Sequence, residues 1–170
     1  SIAFGLLSNA SELGSTAIGA FAAATGVNSS AFGRESVASA RNSTALGRLS
    51  KATGNYSSAV GSESNAGGRN STAIGAIAKS SGSFSTAIGT RSKATGYAST
   101  AVGQSSMVNG KNATALGRNS SATADSAIAI GVSAAASGNG SKAFGYEANA
   151  SGFSSMALGD KSFASATGSI

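Results

Sequence analysis

With 170 residues and a formal net charge of +6, the chain has the length of one ordinary domain, yet 24 Gly, no Pro, Cys, Trp or His, and only 11% charged residues exclude an ordinary core. Without His and Cys the commonest transition-metal ligands and the usual acid-base side chain are missing, so an enzyme, a cofactor or a structural metal is not expected. No long apolar run and no charged-then-apolar leader occurs, so these residues are expected neither to span a membrane nor to carry an export signal.

The pattern begins at once. Ala3-Phe4-Gly5 returns as Ala17-Ile18-Gly19 and Ala31-Phe32-Gly33, and continues to Ala157-Leu158-Gly159, with the glycine at twelve positions spaced by fourteen residues without a slip. A comb of this kind is the signature of a repeat architecture in which each unit stacks on its neighbours. Fourteen is two heptads, but a coiled coil fails: a glycine in every repeat would cost about 1 kcal/mol each in a helix, and no second apolar heptad position accompanies the Phe/Ile/Leu/Val column.

Within each fourteen lies a half-repeat of seven with the form Ser-x-Ala-x-Gly, as in Ser64-Asn65-Ala66-Gly67-Gly68 and then Ser71-Thr72-Ala73-Ile74-Gly75. This spacing predicts two extended segments per coil, each of about five residues, joined by two short turns. Alternation along a strand puts Ser, Ala and Gly on one face. That small face is expected to line the inside of a narrow roll, with Ser80 and Val108 the breaks in one Ala column. Asn28, Asn42, Asn70 and Asn112, with Gly14 and Gly140 in the same column, are expected at turns needing positive φ; their Asn-x-Ser/Thr pattern follows from turn chemistry without glycosylation.

The outward faces differ. One carries Lys51, Asn65, Lys79, Lys93, Ser121 and Asn149. The other carries mostly Thr or Ser and then, two residues on, Phe4, Ile18, Phe32, Leu46, Val60, Ile74, Ile88, Val102, Leu116, Ile130, Phe144 and Leu158. At the ~4.8 Å strand spacing, twelve coils make this an apolar ridge of about 58 Å, more than a monomer leaves uncovered, so burial against copies of itself is expected.

The unit Asn-Ser-Thr-Ala-(Ile/Leu)-Gly-x-x-(Ser/Ala)-x-Ala, from Asn42 to Ala52 and again from Asn70 to Ser80 with Ser in the last place, resembles the repeat of YadA-like head domains in trimeric autotransporter adhesins. The resemblance covers essentially the whole chain. It implies an all-β fold: a left-handed parallel β-roll (solenoid) of about twelve coils, residues 1–170 forming a single head domain assembled as a homotrimer with the apolar ridge at the three-fold contact. It further implies a surface adhesin that attaches to host cells or extracellular matrix, through matrix proteins or cell-surface glycans, with no nucleic-acid or membrane contact by this segment. The expected location is the bacterial cell surface, anchored to the outer membrane through regions outside this chain. The chain starts and stops within a repeat, as expected of a piece of a longer protein. A structural spacer holding another tip domain from the surface is the alternative function.

Gly138-Asn139-Gly140-Ser141-Lys142 has the wrong order for a phosphate loop, and its glycines sit on repeat columns. Glu35, Glu63 and Glu147 share a turn column but lie two or more coils apart, as expected of solvated turn charges. The column Thr16, Thr44, Thr72, Thr86, Thr100 and Thr114 would suit an ice-binding solenoid, but the neighbouring Phe, Ile, Leu and Val make that face uneven. Tyr56, Phe84, Tyr97, Tyr146 and Phe153 are expected at turns. The candidate ligand-binding residues are Arg69, Lys79, Arg91, Lys93, Lys111 and Arg118: no acid lies between Glu63 and Asp125, so this window holds the entire net charge of +6, and three copies would carry three times that, +18.

Overall fold

In a computed structural model describing residues 1–170, the chain winds through twelve coils of fourteen residues without a helix. Coil 1 is residues 1–14, coil 2 residues 15–28, and so on. Each coil contributes one strand of three residues, from β1 (Ile2–Phe4) and β3 (Thr16–Ile18) to β23 (Met156–Leu158), and one of two, from β2 (Asn9–Ala10) to β24 (Phe163–Ala164). Odd-numbered strands form one twelve-stranded parallel sheet and even-numbered strands the other. Register is offset by one repeat throughout, as in Thr72↔Thr86, Ala73↔Ala87 and Ile74↔Ile88, so like residues stack on like.

The strands are shorter than the five residues expected from the half-repeat. The flanking Ser and Gly already belong to turns: the Ser8 and Ser50 amides donate to the Gly5 and Gly47 carbonyls three residues back, at 3.2 and 3.3 Å. Many of the serine hydroxyls turn to the same acceptors, as Ser50 Oγ to Gly47 O at 2.8 Å and Ser85 Oγ to Gly82 O at 2.6 Å, while those of Ser57, Ser71, Ser92 and Ser141 are buried without a partner. The inward column holds only Ser or Ala because the slot admits nothing larger, and where the Ser hydroxyl is bonded it also closes a turn.

All buried side chains are Ala or Ser except Val108. The two breaks in the Ala column are absorbed across the core. Ser80 hydrogen-bonds Ser85 (Oγ to Oγ, 2.5 Å), so residues five apart face each other across the roll. At the equivalent pair the larger Val108 is accompanied by Ala113 in place of Ser, and both are fully buried.

The turns make two edges. Edge I, residues 6–7, 20–21 and onward to 160–161, leads from the first sheet to the second; edge II, residues 13–14, 27–28 and onward to 167–168, leads back. Both continue the ladder: Ile77 N donates to Ser62 O at 2.9 Å on edge I, and Asn70 N to Asn55 O at 2.8 Å on edge II. Positive φ occurs at the expected Asn28, Asn42, Asn70 and Asn112 (53–54°), and also at every second residue of edge I, including Phe21 (59°), Ile77 (60°) and Arg91 (59°).

Candidate binding surface

Lys79 and Lys93 lead strands β12 (Lys79–Ser80) and β14 (Lys93–Ala94) and are register partners, so their side chains leave the second sheet side by side, about 4.8 Å apart at the backbone. Like charges set side by side on one face oppose each other. Arg91 joins them from edge I, two residues before Lys93. The remaining candidates lie elsewhere: Arg118 is on edge I two coils further on, and Arg69 and Lys111 project from edge II. All six are exposed, and none takes part in an ion pair.

The two ion pairs of the chain lie before this window. Arg34 meets Glu35 and Arg48 meets Glu63, each at 2.7 Å and open to solvent, where such pairs are worth little. Beyond the window Asp125 Oδ1 accepts the Lys111 amide at 2.8 Å. Of the three turn-column acids, Glu35 and Glu63 thus hold arginines. The third, Glu147, bonds the phenol of Tyr146 and repels its charged form, holding that pKa above the usual tyrosine value. No three acidic side chains gather.

Gly138–Lys142 is a strand-closing turn. Gly140 N donates to Asp125 O (2.9 Å) and Ser141 N to Gly138 O (3.0 Å), so the amides a phosphate would need are spent on the ladder, and Lys142 Nζ reaches back to Gly140 O at 3.2 Å.

The outer face of the first sheet carries the twelve-residue apolar ridge, none of it buried in the single chain; Ile74, Ile88 and Leu116 are 39, 37 and 45% exposed. The Thr column runs half-buried beside it. Edge I adds apolar side chains that sequence reasoning did not single out, Phe21, Leu49 and Ile77, and a shallow groove lined by Leu49, Lys51, Glu63 and Asn65. Their shared column was a usable signal, since Phe21, Leu49 and Ile77 recur at multiples of fourteen. Tyr56, Phe84, Tyr97, Tyr146 and Phe153 all lie in turns, and Phe84 packs edge-to-face on Tyr97 with ring centroids 5.6 Å apart.

A family model of the YadA head domain repeat (2 copies) matches residues 1–22, 24–50, 38–64, 66–92, 94–120, 122–148 and 150–170. Successive starts from residue 24 onward differ by 14 or 28, the coil period or its double. Among solved structures, the collagen-binding domain of the Yersinia adhesin YadA is similar at 28% identity and a TM-score of 0.46, over 86% of this chain and 66% of that one. The chain therefore spans just under two thirds of the length of that structure. No curated protein matches the sequence.

Proposed function

Because the chain belongs to the YadA head domain family, and so is an adhesin-type binding module, we propose that it attaches to host matrix or cell surfaces as a non-catalytic homotrimer held at the bacterial outer membrane by regions outside these residues. The apolar ridge supports the homotrimer: twelve aliphatic and aromatic side chains in one line have no cover within the chain. The second sheet then faces outward, and the observation that carries the binding reading is Lys79 beside Lys93 there, with no acid to neutralise them. Side-by-side cations without counter-charges favour an acidic partner, such as a sulfated glycan or an acidic stretch of a matrix protein, by attraction that weakens with salt.

Changing Lys79 and Lys93 together to Ser tests this. Assembly should persist, because both side chains leave the outer face, while retention on a sulfated-glycan surface at low salt should fall at least about tenfold. Retention that survives both the double change and high salt would move the binding site elsewhere. The unbroken twelve-coil stack favours a second reading, a stiff spacer of about 58 Å. Loss of a neighbouring domain's adhesion when the roll is shortened, with no binding by the roll itself, would identify it.

A further inference from the structure

Edges I and II lie on opposite sides of the roll. Glu63 and Arg69, for example, are separated by a strand segment that spans about 20 Å when extended, and cannot meet within one chain. Compared coil by coil, however, the two edges are complementary. In coil 3 Glu35 on edge I is level with Arg41 on edge II; in coil 5 Glu63 is level with Arg69; in coil 9 Arg118 is level with Asp125. In three coils apolar side chains are level on both edges: Leu7 with Leu13 in coil 1, Phe21 with Val27 in coil 2, Ile77 with Phe84 in coil 6; coil 10, with Val132 level with Asn139, is an exception. In coil 7 the cation Arg91 is level with the ring of Tyr97, a pairing that aromatic faces favour.

We propose that edge I of one copy docks on edge II of the next copy, coil against the same coil, in a closed ring whose axis runs parallel to the roll. This rests on the homotrimer reading above and adds which surfaces meet and in what register. Rotation about such an axis preserves height, so two different edges meet head to tail and the ring closes without leaving either exposed. The acids keep room for a partner. Glu63 is still 46% exposed while holding Arg48, and Asp125 gives only Oδ1 to the Lys111 amide, leaving its second oxygen for a guanidinium from the next copy.

Winding places each edge I turn between two successive edge II turns in height, so symmetry alone leaves the same coil or the preceding one as the partner. The side chains select the same coil. A slip of one coil in one direction sets Arg118 against Lys111 and Ile77 against Arg69; a slip in the other sets Arg91 against Lys111. Lys111 has no acid level with it on edge I, and it opposes an arginine in either slipped register, so its charge penalises both. Arg69, Arg91 and Arg118 then belong to the seams between copies, leaving Lys79 and Lys93 facing outward.

The chain has no cysteine, so introduced pairs report without background. Glu63→Cys with Arg69→Cys in one chain should oxidise to a covalently closed ring of the mass that light scattering gives for the unmodified assembly. Glu63→Cys with Asn55→Cys, the preceding-coil pair, should not. A trimer in which the same-coil pair fails to cross-link, or the preceding-coil pair cross-links as well, overturns the edge pairing while the homotrimer stands; a monomeric parent chain sinks both. Charge reversal checks the result without sulfur chemistry. Glu63→Arg should raise the concentration at which the assembly dissociates about tenfold, and adding Arg69→Glu should restore it. No restoration overturns the pairing.

Discussion

Gly89 shows why one column admits no other residue. Its φ of 124° is strained for any L side chain, and a Cβ there would stand 2.6 Å from the Gly103 carbonyl of the next coil. Backbone strain of about 1–3 kcal/mol adds to a clash with main chain, which has no rotamer to yield. Gly89→Ala should therefore lower the melting temperature of the assembled protein well beyond what an exposed substitution does, read by circular dichroism; an unchanged midpoint would mean that the coils can separate locally. This column, and the inward Ser and Ala, were legible in the sequence because size alternation on a strand reports which face is inside. The positive φ of edge I was not. Phe21, Ile77 and Arg91 give no local signal for it, and in Ile77 it runs against a β-branched side chain. Stacking imposes it: Ile77 N must reach Ser62 O (2.9 Å) while Ala78 N closes on Gly75 O (3.2 Å), and both bonds hold only with the turn bent this way.

Each strand is too short to be stable alone, so the sheet, and not the strand, is the element that folds. Within the first sheet the apolar column stacks Ile74 on Ile88 on Val102, giving a line with no polar interruption. Ile88→Asp places a carboxylate in the middle of that line, and in a symmetric assembly places one from every copy together. The expected outcome is dissociation of the copies at neutral pH, with partial recovery in acid as the carboxylates protonate, followed by light scattering across pH. An oligomer indifferent to this change would show that the ridge is not its contact surface. The apolar ridge and the polar outer face could both be read from the sequence by column. The proximity of Lys79, Arg91 and Lys93 could be read the same way, because Lys79 and Lys93 share one column in adjacent repeats and Arg91 lies two residues before Lys93. That Arg69 and Lys111 lie in turns followed from the neighbouring Asn70 and Asn112, but how far those turns stand from Lys79 and Lys93 did not. It depends on where the chain turns, and the short strands leave more of each coil to turns than the half-repeat suggests.

At the scale of the whole molecule, every ladder partner is fourteen residues away, so each coil meets only the coil before it and the coil after. Deleting residues 127–140 removes one complete coil and joins two surfaces that already fit, so the shortened chain should melt cooperatively within a few degrees of the parent. Deleting residues 127–133 instead sends first-sheet columns into the second sheet and should abolish the cooperative melt, by the same measurement. An equal tolerance of both deletions would refute a register this strict. The same property makes length a heritable variable that changes in whole steps of fourteen codons without disturbing the remaining coils. It also gives copies a means of telling one another apart. Two chains that differ by one coil agree up to the difference and are out of step beyond it; where the difference lies before coil 8, Lys111 is set against an arginine, so a cell making both such lengths would be expected to sort them into assemblies of equal members.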